Sequence, residues 1–564
     1  MQEYINKLCE EIQKSTKKDK NSIFKLKINL CKQLGIINIP TDIQILISAK
    51  EEQLPLLQNL LQTKPSRSIS GVTPVAIMTS PHPCPHGKCS MCPGGIDSLY
   101  GDVPQSYTGA EPATMRGIRA NYDPYIQIFN RLEQYVVLGH PIDKVDLIIM
   151  GGTFPARDPT YQNEFITYSY KAMNDFSDLF FKNGELDLDT FKEFFQLPGD
   201  IGTEQRTKEI HKKILSLKST STLSKEKLRN ETSTIRCIGM TIETRPDQAS
   251  LEQANLMLEQ GCTRIELGIQ SVYDKALEKI NRGHDAECSI QTIRRLKDLG
   301  FKLNFHIMPG IPGVSVEEDV AAFRLLFADS SYRPDMLKIY PLMVMPNTKL
   351  HEDFKQGKFE PLSTKKAAEI IAQAFKYIPK YCRVMRVQRD IPTYRIEAGV
   401  DKTNLRQYVD QELKTQNIIP QDIRARESGR KESNINNTQI EILEYDASQG
   451  KEFFISYEEK ETNTLFGFCR LRFPSQQLKD EITPTTSIIR ELHVYGESTS
   501  LGKDNPTSSQ HKGIGKKLLQ KAEEITKQHN YNKIIVISGI GVREYYRKQG
   551  YSNDGPYVSK ILNS

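Results

Sequence analysis

The chemistry in this chain gathers first in the stretch CPHGKCSMCPGG, residues 84–95, where Cys84, Cys89 and Cys92 fall within nine positions. Three thiolates in one loop are soft ligands, and a Cys-x4-Cys-x2-Cys spacing suits either zinc or an iron–sulfur cluster. Structural zinc takes a fourth protein ligand, which His82 or His86 could provide. A cluster on three cysteines leaves one iron open instead. The paired glycines of GGTF at 151–154, closing an apolar run, would let backbone come close to a ligand on that iron. We read three ligands and an open iron as the stronger alternative. The other seven cysteines, Cys9, Cys31, Cys237, Cys262, Cys288, Cys382 and Cys469, are isolated and read as small buried residues.

A second group of residues lies more than 400 positions further on, in QHKGIG at 510–515. Glycines opening a helix leave amide N–H groups free to face a pyrophosphate, and the helix start adds a favourable field. The strand-like RELHVYG precedes this stretch and VISGIGVREYYRKQGY follows it. Glu491 and His493 are the polar candidates on the first. Tyr545 and Tyr546 on the second either pack or reach a thioester. Were the domain to acetylate amines, Glu491 could serve as base, directly or through water.

The elements that must hold these groups alternate. From about 71 to 400, the apolar runs VDLIIMGGTF, TIRCIGMTIET, CTRIELGIQSV, FKLNFHIMPG and DMLKIYPLMV stand between amphipathic stretches, the rhythm of a parallel βα architecture. Gly151, Glu243, Gln270, His306 and Tyr340 would then gather at the carboxyl ends of strands, where such folds do chemistry. Residues 1–65 carry apolar positions at helical spacing, such as Ile5, Leu8, Ile12 and Ile43, Leu46, Ile47, among many lysines. The segment from Thr203 to Arg236 sets nine Lys or Arg against four Glu and is expected to be a mobile basic insertion. Arginines thicken between 383 and 430 before a polar break, ESNINNTQ, which marks a boundary. Beyond it, four alternating runs, one helix and a last strand complete the chain. At 564 residues and a net charge of +6, the chain suits two to four domains, with local basic clusters free to meet a polyanion. Neither a leader nor an uncharged apolar run of about 18 residues stands out, so a reduced, cytoplasmic protein with no membrane partner is expected.

The cysteine loop followed by GGTF resembles the core of radical S-adenosylmethionine enzymes, and QHKGIG resembles the cofactor turn of GNAT acetyltransferases. SYTGAEPATMRGIRANYDPY, TIETRPD, NRGH, LKIYPLMV, RVQRDIP, DIRARESG and VREYYRKQGY join them in order, and the whole past residue 70 is similar to the Elongator catalytic-subunit family. Four residues between the first two cysteines match its archaeal and bacterial members. The resemblance implies an α/β fold: a helical basic segment over 1–70 with possible tRNA binding, a partial (βα) barrel of the radical S-adenosylmethionine type over 71–400, an Arg-rich linker over 401–438, and a GNAT domain over 439–564.

It also implies a reaction. A 5'-deoxyadenosyl radical takes hydrogen from the methyl group of acetyl-CoA, and the carbon radical adds to C5 of the wobble uridine of tRNA, leaving a carboxymethyl group. Cys84, Cys89 and Cys92 would hold the 4Fe-4S cluster, and Gly151, Gly152, Glu243 and Gln270 would line the S-adenosylmethionine site. Lys144 matches a family lysine assigned to acetyl-CoA. Glu491, Leu492, His493, Val494, Gly513, Ile514, Gly515, Lys516, Lys517 and Tyr545 or Tyr546 would form the acetyl-CoA cleft. Lys and Arg side chains, with Arg386, Arg389, Arg424 and the N-terminal helices as candidates, would meet the phosphates of the anticodon arm. An electron donor is required; accessory Elongator-type subunits are not demanded by the sequence, and no zinc is expected in the linker. The rival readings are a protein lysine acetyltransferase with a structural iron–sulfur cluster and a non-catalytic tRNA-binding protein.

Overall fold

The computed structural model describes residues 1–63, 71–199, 202–428, 437–495 and 513–562. Gln510, His511 and Lys512 of the glycine turn, and most of the polar break, lie outside them.

Seven parallel strands form the first sheet in chain order: β1 Thr73–Met78, β2 Lys144–Met150, β3 Arg236–Thr244, β4 Arg264–Gln270, β5 Lys302–Ile307, β6 Met336–Ile339 and β7 Arg383–Arg386. The pairing runs from β1 to β7 without closing, which makes a partial barrel. Helices cover its convex face, several of them started by capping boxes, such as Ser250 with Gln253 and Ser315 with Glu318. The strand residues facing those helices, among them Val145, Leu147, Ile149, Leu303 and Phe305, are fully buried.

The second sheet has the order β8 Thr438–Ala447, β9 Gly450–Glu459, β10 Leu465–Phe473, β11 Thr486–Val494, β12 Lys533–Val536, β14 Tyr557–Ile561, β13 Ser552–Asp554. It is antiparallel except where β11 meets β12. That pairing ends at Ile489↔Val536, so the two strands part beyond it while β11 continues along β10 to Val494. The two sheets share one hydrophobic core, in which Phe454, Ile488, Ile537 and Tyr557 join the barrel's apolar layer.

The N-terminal helices Gln2–Lys14, Lys20–Gln33, Asp42–Ser48 and Leu54–Leu61 enclose a core of their own, built on Ile5, Leu8, Ile12, Ile23, Leu30 and Leu46. One expectation fails in the middle of the chain. The basic stretch after Thr203 is not a mobile insertion: it folds into the helices Glu204–Leu217 and Leu223–Asn230. Ile210 and Ile214 are buried, and Asn174 donates to the buried Glu226 carboxylate at 2.8 Å. Helical periodicity beneath the lysines outweighed their charge. Among the described residues no helix is long and apolar enough to cross a membrane.

Candidate functional site

The loop after β1 brings Cys84, Cys89 and Cys92 to the carboxyl ends of the barrel strands, where they line one cavity with Gly152, Glu243, Gln270, His306 and Tyr340. The glycines of GGTF are dictated by space. Gly151 has φ 136°, and a Cβ there would stand 2.0 Å from the Thr79 hydroxyl; Gly152 has φ 92° and a Cβ would sit 3.2 Å from that of Gln105. Each sulfur has polar company. The Thr153 hydroxyl lies 3.4 Å from Cys84 Sγ, and the Ser106 backbone N–H donates to Cys92 Sγ at 3.1 Å. His86 Nε2 stands 3.2 Å from Cys89 Sγ, to which Arg282 also donates at 3.6 Å. Burial pushes the Cys84 and Cys92 thiols up, and the neighbouring Cys89 adds to this at both.

These residues fit a multi-iron cluster better than zinc. Among the described residues, Glu243, Glu266 and His306 are the one trio of potential ligands whose atoms all lie within 4.8 Å of one another. The thiols form a wider triangle than the S···S separations of about 3.8 Å that tetrahedral Zn–S bonds impose. Gln270, at φ 70° on the end of β4, buries a side-chain carbonyl oxygen that has no partner, and Arg245 does the same with one guanidinium nitrogen. Orphaned polar atoms beside three thiols suit a polar ligand held next to a cluster.

Beside the thiols lies an ionic group that sequence reasoning only half found. Tyr107 donates to Glu243 at 3.0 Å, His306 meets Glu266 at 2.9 Å, and Lys338 bridges the acids, touching Glu266 and standing 4.0 Å from Glu243. Burial raises the Glu243 carboxyl above its ordinary range. Burial acts on Glu266 too, but the Lys338 ammonium and the His306 hydrogen bond hold it well below that range. His306 and Tyr340 were anticipated at strand ends; Glu266, Lys338 and Tyr107 were not. Period-two alternation along RIELGIQ and DMLKIY was the available signal for Glu266 and Lys338; Tyr107, in a loop, carried none.

At the other end of the barrel, β11 presents Glu491, Leu492, His493 and Val494, all part-exposed, along its free edge. The helix Ile514–Gln528 starts on Gly513, whose φ of 73° only a glycine adopts readily, and exposes Lys516 and Lys517 in its first turn. A Cβ on Gly515 would meet the Tyr545 hydroxyl at 2.9 Å and Val494 at 3.6 Å, so helix start, strand edge and Tyr545 converge. Tyr546 instead buries its ring in the domain core. Glu491 takes a hydrogen bond from Arg470 at 2.9 Å and faces Lys302 at 3.9 Å. Burial disfavours its charge, but Lys302 and Arg470 hold the carboxyl below its usual range. Burial lowers His493 to about 4. Lys144 lies at this same end, at the start of β2, with its ammonium 3.0 Å from Asp143. Of the arginine candidates, Arg386 and Arg389 line the thiol cavity, while Arg424 donates to the Met385 carbonyl at 2.8 Å.

Fold and cavity define the class. The Radical SAM superfamily profile matches residues 80–326, its C-terminal domain 334–415, and the acetyltransferase (GNAT) domain 507–560. The ELP3 N-terminal domain profile matches residues 1–69. The tRNA uridine(34) acetyltransferase of Methanocaldococcus jannaschii is 42% identical over 99% of this chain and 97% of its own length. Elongator complex protein 3 of Homo sapiens is 37% identical over 95% and 93%. The solved structure of the archaeal Methanocaldococcus infernus Elp3, with an N-terminal deletion of residues 1–46, superposes with a TM-score of 0.71 at 36% identity, covering 88% of this chain and 100% of that one. The chain belongs to the Elongator complex protein 3 family.

Proposed function

We propose that this protein carboxymethylates the wobble uridine of tRNA, taking the two-carbon unit from acetyl-CoA. The observation that carries the reading is the presence of a three-thiol cavity and a parted GNAT strand on one shared core. Relatives over nearly the full length that are named for tRNA uridine(34) support it.

Cys84, Cys89 and Cys92 would hold a 4Fe-4S cluster, with Gly151 and Gly152 giving backbone access, and Gln270 and Glu243 offering acceptors to the amino and hydroxyl groups of S-adenosylmethionine. When bound, that pair supplies a carbon radical able to take a hydrogen atom from an unactivated methyl group. Lys338 and His306 fix the Glu266 carboxylate beside the cavity, and Tyr107 orients Glu243. Val494, the amides after Gly513 and the Tyr545 hydroxyl would grip acetyl-CoA. Arg386 and Arg389 on the cavity rim suit the phosphates flanking a splayed base.

The lysine acetyltransferase reading loses its base. Glu491 is pinned between Arg470 and Lys302 as a carboxylate of lowered proton affinity, poorly suited to deprotonating an ammonium. Reconstituted protein, given tRNA, S-adenosylmethionine, a low-potential reductant and acetyl-labelled acetyl-CoA, is expected to place label on C5 of the wobble uridine, read by mass spectrometry of digested tRNA. Label in protein lysines with none in tRNA would overturn the reading.

A further inference from the structure

Past Arg389 and Ile391, which line the thiol cavity, the chain makes the short helical turn Thr393–Arg395. The turn is pinned on both sides, because Ile391 and Ile396 pack with Met343 and Met345. Its middle residue, Tyr394, is nevertheless 75% exposed, more than any other Tyr or Phe among the described residues. Aromatic rings ordinarily contribute by burial. This one contributes little to the fold.

What backs the ring is a cation. The Arg395 guanidinium lies over the Tyr394 ring, 5.4 Å from its centroid, and over the Tyr100 ring at 5.1 Å, so one arginine joins two tyrosine faces. Tyr100 sits at the turn of the hairpin Gly95–Ser98 and Gly101–Val103, which leaves the cavity after Cys92 and returns to it at Gln105. The three side chains thus tie together two segments that line the cavity. The Cα of Tyr394 lies at most about 11 Å from that of Ile391, the reach of the chain between them. Among the described residues neither Arg389 nor Arg395 pairs with a carboxylate: Arg389 donates to the Ser106 carbonyl, and the Arg395 Nε is buried without a partner. A solvent-facing ring beside unpaired guanidinium groups is the chemistry of single-stranded nucleic acid binding, in which bases stack on aromatic faces and arginines take the phosphates. An apolar protein surface would match the ring but leave both cations without counter-charge.

We propose that Tyr394 is a stacking platform for an anticodon-loop base next to the wobble uridine, held ready by Arg395 and Tyr100 while the uridine enters the thiol cavity. The proposal rests on the function argued above and adds the residue that positions the loop. A ring fixed in advance loses less side-chain entropy when the base arrives.

Salt separates stacking from charge. With reconstituted protein and an unmodified tRNA transcript carrying uridine at the wobble position, Tyr394→Ala should raise the dissociation constant about fivefold or more. Its slope against salt concentration should not change, because no phosphate contact is lost. Tyr394→Phe keeps the ring and should stay within about twofold of wild type, whereas Arg389→Ala should shallow the slope by about 0.7. On a transcript lacking the anticodon arm, Tyr394→Ala and wild type should bind alike. Wild-type affinity in Tyr394→Ala overturns the platform, as does an equal loss in Tyr394→Phe or a loss that persists on the armless transcript. Unchanged tRNA binding with slower reduction of the cluster by a protein donor would assign the ring to that partner and overturns it too. Wild-type protein that binds the transcript but transfers no acetyl label to it fails the function itself, a result read separately from these affinities.

Discussion

At the amino ends of the barrel strands, Arg472 is shared by Asp298 and Glu452, and Arg490 by Asp335 and Glu452, all of them almost completely buried. At the carboxyl ends, three thiols line one cavity, Gln270 turns through a left-handed conformation with its carbonyl oxygen unpartnered, and burial raises the proton affinity of Glu243. Both ends bury charge, but one matches each arginine with carboxylates from two elements, while the other leaves acceptors facing a cavity. Buried ion pairs fix geometry more than they add stability. The seam therefore sets how the second domain sits on the barrel, while the left-handed Gln270 places its strain where a ligand is to be held.

The sharpest way to break that contrast is at the thiols. Cys89→Ala should abolish iron–sulfur absorbance and tRNA modification while acetyl-CoA binding, at the far end of the barrel, survives; modification that persists would remove the radical chemistry from the account. Next in size is the seam. Arg490→Met leaves the buried carboxylates Asp335 and Glu452 one cation short, with only Arg470 and Arg472 still beside them, and should cost about 3–5 kcal/mol in chemical unfolding. The double variant with Asp335→Leu should cost clearly less than the sum of the two singles, because they share one interaction. Additive losses would mean that the seam charges act independently.

Much of this was readable before the structure. The thiol loop, GGTF and the alternation of apolar runs located the barrel and which end of it does chemistry, because ligand spacing and strand period are local properties. The ion pair of Glu266 and Lys338 was not legible, since the two come from separate segments and only the sheet register aligns them, and Tyr107 reaches Glu243 from a loop outside the sheet. The two tyrosines show the same limit: adjacency in sequence hid that Tyr545 turns to the helix start at Gly515 and Tyr546 into the core. The seam arginines sat in strands read as ordinary alternating runs, and nothing local said that the solvent face of β10 and β11 would be covered by the barrel.

The smallest expected effect separates the two ends by pH. Glu243 has a raised proton affinity in the fold, so its contribution to stability is full below the unfolded value of about 4.3 and is lost as pH rises through the folded one. Burial opposes the charge of Asp335, but Arg490 and Arg470 hold its carboxyl low; its contribution is full above about 3.9 and is lost only as pH falls below that. From mildly acidic to neutral pH, the seam should therefore be flat and the cavity end should not. Glu243→Gln can still accept the Tyr107 hydrogen bond and removes the titration, so its unfolding temperature should gain on wild type as pH rises, by about one to two degrees. Asp335→Asn should lie below wild type by a constant margin over the same range. Parallel curves for wild type and Glu243→Gln would show that the cavity end holds its carboxylate as comfortably as the seam does.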